Sequence, residues 1–413
     1  MADNLLDKAS ILLTPTAYDN GSMLSIKPTD GDGDFTFSRN GNASRVNSSG
    51  IIVTEGANLP RINYENGCGS WLFEPQSTNL VPYSEDYSNP SWSKSKVSVV
   101  NNNYISPDGT TNASLLYPNT SGTFRYINDS ISGSSSLYTI SVYAKVSGKD
   151  VAWMYINSSS AYGIVYYDLS DKTIEIESGS TSTPSGTITD AGNGWYRLTY
   201  TVGGVIPITS GSGFGVCDSK GSTNVTANGT DGLYFWGAML EQQSYATSYI
   251  PTSGATSTRL QDLATGSGNS TLINSTGGVL YGEIAALANS VPTQRLALSS
   301  GNNTNRIYLQ FSTTLNRIFV SVVSSSSIVV EIGHTLSNIT NFNKIAVKYK
   351  QDDFALWING VEVATDTSGA TPLGLSELAF DDGNGSLPFY GKTKALAVFP
   401  YLTDAELQSL TTI

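Results

Sequence analysis

The stretch Tyr138-Thr-Ile-Ser-Val-Tyr-Ala-Lys145 alternates small or apolar side chains with polar ones. Successive side chains of a β-strand point to opposite faces, so one face of this strand carries Ile140, Val142 and Ala144. The next apolar stretch, Val151-Ala-Trp-Met-Tyr-Ile156, repeats the same alternation. Strands of this kind, joined by turns rich in Gly, Ser and Asn, predict an antiparallel β-sandwich.

Similar stretches continue the pattern along the chain. They lie at 163–169, 195–202, 233–241, 279–285, 306–311, 317–323, 327–332, 344–349 and 354–358. Asn359-Gly360 separates two apolar segments and predicts a tight two-residue hairpin. Thr403-Asp-Ala-Glu406 predicts a capping box that begins a helix over 402–410. The sequence therefore predicts an all-β protein with a short helix near its C-terminus.

Composition divides the chain into blocks. Residues 1–75 contain many turn signals and few long apolar runs, so we expect a short attachment segment that packs on a partner. Residues 76–255 and 279–413 each hold the strands of one sandwich. Residues 256–278 are rich in Ser, Thr, Gly and Asn, which predicts a polar linker between the sandwiches.

The charge and the rare residue types exclude several functions. Of 413 residues, 22 are Lys or Arg and 34 are Asp or Glu, giving a net charge of −12. This balance argues against binding to nucleic acid or to anionic membranes, which need a basic surface. One histidine, His334, rules out multi-histidine metal sites. Cys68 and Cys217 cannot build a disulfide framework, and we predict two separate buried thiols.

Neither a secretion signal nor a membrane span is expected. The N-terminus, Met1-Ala-Asp-Asn-Leu-Leu-Asp7, has acidic residues where a signal peptide needs basic ones. The longest apolar stretches, such as 233–240, are much shorter than a transmembrane helix. We therefore expect a protein made in a cytosol, with no membrane insertion.

An ordered set of motifs runs through the first two blocks. They are Asp34-Phe-Thr-Phe-Ser-Arg39, Ala43-Ser-Arg-Val-Asn47, Pro60-Arg-Ile-Asn-Tyr64, Leu72-Phe-Glu-Pro-Gln-Ser-Thr-Asn-Leu80, Tyr83-Ser-Glu-Asp-Tyr-Ser-Asn89 with Trp92, Ser106-Pro-Asp-Gly-Thr110, Gly194-Trp-Tyr-Arg197, Leu233-Tyr-Phe-Trp-Gly-Ala-Met-Leu-Glu241 and Tyr245-Ala-Thr-Ser-Tyr-Ile-Pro-Thr-Ser253. Over roughly residues 30–260 this order resembles bacteriophage virion fibre and head-spike proteins. The resemblance implies a head spike or tail fibre whose 76–255 domain is similar to carbohydrate-binding jelly rolls.

The resemblance also implies partners and a location. The protein would be made in the host cytoplasm and reside in the virion, as a homotrimer attached to capsid, portal or tail proteins. It would contact the host surface polysaccharide. Three motifs of the last block, Trp357-Ile-Asn-Gly360, Gly391-Lys-Thr-Lys-Ala-Leu-Ala-Val398 and Leu402-Thr-Asp-Ala-Glu-Leu407, resemble laminin-G or concanavalin-like lectin sandwiches. Such domains bind sugars, bind proteins or space other modules.

Aromatic residues are the candidate binding groups. If the apolar faces fill the core, the alternation places Tyr143, Trp153 and Tyr155 on the opposite face, where Tyr166, Trp195 and Arg197 are expected to join them. Rings stack on the C–H faces of sugars, and a guanidinium donates to hydroxyl groups, so this face predicts a carbohydrate site. Two alternatives remain open: the rings form a subunit interface, or Trp153 belongs to the core.

Catalytic and metal signals are weak. No local motif places two carboxylates across a cleft, and no nucleophile elbow or phosphate-binding loop occurs, so we expect no enzymatic activity. A capsule-polysaccharide depolymerase is the runner-up function, and a cell-surface adhesin is the third. No cofactor is expected except calcium. The turn Asp381-Asp-Gly-Asn384 offers Asp381, Asp382 and Asn384 as its ligands, whereas the Asp30–Asp34 turn lacks a terminal Glu.

Overall fold

The computed structural model describes residues 5–16, 18–19, 21–158, 163–179 and 183–413, so the N-terminal residues 1–4 of the signal-peptide argument lie outside them. The chain forms two compact units. The first unit contains residues 1–42, 55–75 and 260–413, and the second contains residues 43–54 and 76–259. Among the described residues, no helix is both long and apolar enough to cross a bilayer.

The described residues form mostly β-strands. Numbered along the chain, they are β1 (Ile11–Leu13), β2 (Tyr18–Asp19), β3 (Ser22–Met23), β4 (Phe35–Ser38), β5 (Ala43–Val46), β6 (Ile52–Glu55), β7 (Ile62–Glu65), β8 (Cys68–Phe73), β9 (Ser77–Asn79), β10 (Ser93–Ser95), β11 (Val97–Tyr104), β12 (Ala113–Pro118), β13 (Tyr126–Asn128), β14 (Gly133–Ser136), β15 (Thr139–Ser147), β16 (Val151–Ile156), β17 (Ile164–Asp168) and β18 (Thr173–Glu177). They continue with β19 (Ser185–Asp190), β20 (Trp195–Thr201), β21 (Ile206–Ile208), β22 (Ser212–Cys217), β23 (Gly232–Glu241), β24 (Ser257–Arg259), β25 (Leu263–Thr265), β26 (Gly277–Ala286), β27 (Gln294–Ser299), β28 (Arg306–Phe311), β29 (Arg317–Ser324), β30 (Ser327–Thr335), β31 (Asn343–Lys350), β32 (Phe354–Ile358), β33 (Val361–Asp366), β34 (Glu377–Ala379) and β35 (Gly391–Phe399). A 3₁₀ helix (Leu5–Lys8) and an α-helix, α1 (Asp404–Thr411), complete the described elements.

The second unit is an antiparallel sandwich. Its described residues form two six-stranded sheets, ordered β10-β13-β22-β16-β17-β18 and β11-β12-β23-β15-β20-β19. The consecutive strands β15 and β16 belong to different sheets. Phe214 of one sheet meets Phe235 of the other with ring centroids 4.7 Å apart, in the core between them.

The alternation predicted for β15 and β16 is confirmed. The small and apolar residues assigned to the inner face are all buried in the common core, namely Ile140, Val142, Ala144, Ala152, Met154 and Ile156. Their burial from both sides of the sandwich supplies the main hydrophobic stabilisation of this unit.

The first unit is also built from antiparallel sheets. In its described part, a path β33-β32-β31-β26-β35-β8-β7, with β1 beside β35, forms an eight-stranded sheet, and β30-β29-β28-β27-β34 forms a five-stranded one. Phe73 of the larger sheet stacks on Phe380 at 4.6 Å. Phe380 contacts Phe389, which contacts Phe311 of the smaller sheet. The predicted all-β antiparallel sandwich fold is therefore confirmed for the chain.

The strand pairing differs from the predicted N-terminal segment 1–75. β1 pairs with β35, where Ile11 lies opposite Val398, and β8 pairs with the other end of β35, where Phe73 lies opposite Gly391. These short strands belong to the same sheet as the C-terminal block. The N-terminal strands are buried by pairing with a strand near the C-terminus, and the composition of residues 1–75 alone does not reveal that pairing.

The predicted linker 256–278 also differs from the structure. It contains β24, which pairs with β9 in the second unit, and β25, which pairs with β4 in the first. Between these strands Asp262 is buried and accepts hydrogen bonds from two arginines, Arg39 and Arg61. Paired strands and a buried ion pair therefore occupy this segment, so its polar composition does not indicate an open linker.

The predicted hairpin and helix cap agree with the structure, unlike the predicted boundaries of the sequence blocks. Asn359 and Gly360 both have positive φ and join β32 to β33, as predicted. Thr403 caps α1 in a capping box with Glu406, as predicted. Cys68 and Cys217 are both free, but Cys68 is exposed at the start of β8, so the prediction of a buried thiol is wrong for that residue.

Candidate functional site

The six candidate binding residues lie on two different sheets. Tyr143 belongs to β15, while Trp195 and Arg197 belong to β20 of the same sheet. Trp153, Tyr155 and Tyr166 belong to β16 and β17 of the other sheet. Because both sheets direct their alternate residues into one core, the two groups occupy opposite outer faces of the sandwich. The predicted single platform is therefore wrong, since alternation identifies a face but not the sheet.

The group around Tyr143 is covered by its own chain. Tyr143 and Trp195 are buried in a cluster with Trp236, Tyr249 and Ile250. The indole N–H of Trp195 donates to the carbonyl of Ile105 over 3.1 Å. These rings therefore form a small second core on the outer face of this sheet, rather than an open sugar platform.

Arg197 has a structural role on the same face. Its Nη2 donates to Ser141 Oγ over 3.0 Å and to the Thr247 carbonyl over 2.6 Å. The guanidinium carbon lies 5.4 Å from the centre of the Tyr143 ring. Arg197 thus ties β15 to the segment that covers the sheet, and these contacts do not support its predicted role as a sugar ligand.

The group around Trp153 lines a cleft. Trp153 and Tyr155 are stacked, with ring centroids 5.6 Å apart and an interplanar angle of 25°. Tyr126 of β13 meets both rings edge-on at 5.5 and 5.6 Å. Phe124 meets Trp153 edge-on at 5.9 Å. Together with Asn157 and Ile164, these four rings line a cleft of about 200 Å³, which we name the aromatic cleft.

Two glycines on β22 make this cluster of rings feasible. β22 lies between β13 and β16, with Gly215 opposite both Tyr126 and Trp153, and Gly213 opposite Tyr155. A Cβ atom on Gly215 would lie 2.7 Å from Trp153 Nε1, and one on Gly213 would lie 2.9 Å from Tyr155 Cε1. Rings from the flanking strands therefore lie over β22 only because these positions lack side chains.

Exposure separates the floor of the aromatic cleft from its rim. Trp153 is only 1% exposed and forms the floor, whereas Phe124 is 46% exposed. Tyr126 and Tyr155 are half-buried. Tyr166 is buried beside Trp153 on the neighbouring strand β17, and its hydroxyl donates to Glu177 Oε2 over 2.9 Å. Trp153 is therefore not a ring of an exposed platform; its burial with Val151, Ile164, Tyr166 and Cys217 agrees with the alternative that it belongs to a core.

Sequence reasoning missed Phe124 and Tyr126. Tyr126 lies on a strand of three residues, and Phe124 precedes it with φ of +56°, so neither belongs to a long alternating stretch. The alternation Gly213-Phe214-Gly215 was the available signal. It places an apolar side chain inward and leaves the outer face bare for neighbouring rings.

A buried carboxyl group lies near the aromatic cleft. Asp129 accepts hydrogen bonds from the Ser212 amide at 2.9 Å, the Ser212 hydroxyl at 2.6 Å and the Ile131 amide at 3.1 Å. Burial nevertheless raises the pKa of Asp129 to about 6. Burial, with Tyr126 and Asp129 nearby, raises the pKa of Tyr155. This surrounding disfavours additional negative charge.

A second, polar cleft of about 330 Å³ contains two adjacent carboxylates, Glu85 and Asp86. Glu85 accepts from the Tyr249 hydroxyl at 2.6 Å and from Asn112 Nδ2 at 2.8 Å, and burial raises its pKa. Asp86 accepts from the amide and hydroxyl of Ser88 and from Asn101. Both groups thus have protein partners.

The acidic turn at 381–384 is held by internal hydrogen bonds. Asp382 Oδ2 lies 3.1 Å from Arg306 Nη1, and Asp382 Oδ1 accepts from the amide of Asn384. Asp381 Oδ1 accepts from the Gly383 amide at 2.6 Å. In the described part of the chain, no group of three His, Cys, Asp or Glu side chains is placed to hold a metal ion. The calcium site gains no support here and stays a prediction.

Comparisons with known proteins show similarity to solved structures but not to known sequences. The sequence matches no protein-family model and no curated protein. Among solved structures, domains LG4–5 of the mouse laminin α1 chain are similar, with a TM-score of 0.25 and 8% sequence identity. The match covers 83% of this chain and 93% of that chain. The fold assignment rests on the strand pairing and the two cores described above.

Proposed function

We propose that this chain is a non-enzymatic glycan-binding protein and that the aromatic cleft holds a sugar ring. The observation that carries the proposal is the open edge formed by Phe124, Tyr126 and Tyr155 above a buried Trp153. Exposed aromatic rings beside a packed floor offer apolar surface to the C–H faces of a sugar. The tyrosine hydroxyls and Asn157 supply hydrogen bonds to its hydroxyl groups.

The biological setting of the proposal comes from the ordered motifs. Their resemblance to virion fibre and head-spike proteins supports a protein that decorates a bacteriophage particle and contacts a polysaccharide of the host surface. Capsid, portal or tail proteins are then its partners, and a homotrimer its assembly. The runner-up is a depolymerase, which would use the carboxylates Glu85 and Asp86.

A glycan array tests the proposed site. The full-length protein is applied to immobilised bacterial surface polysaccharides, together with Phe124→Ala and the matched control Tyr401→Ala. Phe124 is 46% exposed and Tyr401 45% exposed, so each change removes one equally exposed ring. We expect Phe124→Ala to weaken binding roughly three- to tenfold, since one ring contact contributes about 0.5–1.5 kcal/mol. Tyr401→Ala should bind as the wild type does.

Two results contradict the proposal. One is the lack of any binding that depends on Phe124: the wild type and Phe124→Ala bind equally well, or the wild type binds none of the polysaccharides. The other is release of reducing ends from a bound polysaccharide, which a binding protein does not cause. If reducing ends appear and Glu85→Gln abolishes their release, the depolymerase replaces the binding protein as the explanation.

A further inference from the structure

The described residues that line the aromatic cleft carry no positive charge. Among the described residues that line it, Phe124, Trp153 and Ile164 are apolar, while Tyr126, Tyr155 and Asn157 are neutral and polar. Sites for uronic or sialic acids bind the sugar carboxylate with Arg or Lys. Stacking and neutral hydrogen bonds are therefore the interactions that these lining residues provide.

The guanidinium closest in sequence to the aromatic cleft is already occupied. Arg125 lies between Phe124 and Tyr126 but is buried. Its Nε donates to the Thr120 carbonyl over 2.8 Å, and its Nη2 donates to the Ser121 carbonyl over 2.6 Å. Its Nη1 donates to the carbonyl of Thr123. With these backbone partners, Arg125 holds its own loop and is not turned toward a ligand.

Two carboxylates lie near the aromatic cleft, those of Asp129 and Glu177. Asp129 is buried close enough to Tyr155 to interact with it electrostatically. Glu177 accepts from Tyr166, which lies opposite Trp153 across the β16–β17 pair. The whole chain carries a net charge of −12. An anionic sugar entering the cleft would therefore meet repulsion that a neutral sugar does not.

From this arrangement we infer that the aromatic cleft selects uncharged sugar units and rejects uronic and sialic acids. The inference rests on the proposed glycan-binding function and adds the class of ligand to it. Discrimination comes from the absence of a cation among the described lining residues and from the carboxylates of Asp129 and Glu177 nearby. A host polysaccharide with neutral hexose units fits this cleft.

Matched polymer pairs separate charge from sugar shape. Each pair consists of a neutral polymer and an anionic form of it. The first pair is dextran and carboxymethyl-dextran, and the second is methyl-esterified polygalacturonate and free polygalacturonate. The third pair is the strongest array ligand and its derivative of the other charge, made by carboxymethylation of a neutral ligand or by carboxyl reduction of an anionic one. Titration calorimetry of the wild type and Phe124→Ala gives each affinity at low salt. In each pair that binds, we expect the wild type to bind the neutral polymer at least about tenfold more tightly than the anionic one. Phe124→Ala should weaken binding of the neutral polymer. Raising the salt from about 50 mM to about 500 mM should narrow the difference by screening repulsion.

The outcomes distinguish this inference from the proposed function. If the anionic members bind as tightly as the neutral ones and Phe124→Ala weakens both, the cleft binds glycans but the charge selection is wrong. If the anionic polymers bind more tightly than the neutral ones and added salt lowers their affinity, the inference is also overturned. If Phe124→Ala changes no affinity, or nothing binds, the proposed function fails together with the inference.

Discussion

Arg39 donates through Nη1 to Asp262 Oδ1 over 3.0 Å, with both side chains fully buried, although 223 residues separate them in sequence. The other oxygen of Asp262 accepts from Arg61, and Arg61 Nη1 lies 2.7 Å from Glu74 Oε2. Inside the first unit, the buried arginines Arg39 and Arg61 thus lie beside the buried carboxylates of Asp262 and Glu74. The network joins the three separate stretches of sequence that compose this unit.

We predict that Asp262→Asn destabilises the first unit by about 3–5 kcal/mol, because it removes a buried negative charge that pairs with both Arg39 and Arg61. Urea melts of the full chain measure the loss of unfolding free energy. Glu331→Gln, an exposed carboxylate on β30, is the control and should change stability by less than about 0.5 kcal/mol. Equal melts for both variants would show that the buried network is not important for stability.

Gly215→Ala should disrupt the aromatic cleft. Its Cβ would lie 2.3 Å from the Arg125 carbonyl oxygen and 2.7 Å from Trp153 Nε1, so β22 or the indole must move. We expect about 1–3 kcal/mol of destabilisation and a changed Trp fluorescence spectrum. Gly204→Ala is the matched control, since a Cβ there meets nothing within 4 Å. A Gly215→Ala protein with unaltered melting and fluorescence would contradict the described packing.

Trp153 and Phe124 should behave differently when replaced by alanine. Trp153 is 1% exposed, so Trp153→Ala should cost about 3–5 kcal/mol of stability in the second unit. Phe124 is 46% exposed, and its replacement should leave the melting temperature nearly unchanged while weakening glycan binding. Thermal melts followed by circular dichroism separate the two. A Trp153→Ala variant that melts like the wild type would place Trp153 at the surface.

The stability of the second unit should depend on pH through Asp129. Burial raises its pKa in the folded protein to about 6, above the ordinary value of 3.8, so the folded state binds the proton more tightly. Stability from this group is therefore greatest below about pH 4 and is lost as pH rises through 6, by at most about 3 kcal/mol. The difference in unfolding free energy between the wild type and Asp129→Asn should shrink or reverse along this range. A constant difference from pH 4 to pH 7 would contradict the raised pKa.

Isolated fragments should follow the strand pairing rather than the chain blocks. Residues 279–413 lack β1, β7 and β8, which pair with or beside β35, so this fragment should not melt cooperatively. Residues 76–259 retain both six-stranded sheets described for the second unit and should fold alone. Differential scanning calorimetry of both fragments checks this. Cooperative melting of 279–413 would restore the independent C-terminal sandwich.

Much of the local structure was predictable because its causes are local. Alternation placed Ile140 and Met154 in the core, Asn359-Gly360 formed its hairpin and Thr403 capped its helix. Each depends on residues within a few positions of one another. Only part of the aromatic cleft could be predicted. The alternation in β16 places Trp153 and Tyr155 on one outer face, but Phe124 and Tyr126 belong to a distant segment at β13.

The sequence by itself determined the all-β class, the inner and outer faces of the long strands, the Asn359-Gly360 turn and the start of the C-terminal helix. Those properties follow from the two-residue period of a strand and from the backbone preferences of individual residues. Only the tertiary structure decided that Tyr143 and Trp153 lie on opposite faces of the sandwich and that Asp262 neutralises Arg39. Sheet membership and long-range charge pairing depend on how distant strands assemble, and a period of two carries no information about the neighbour across the sheet.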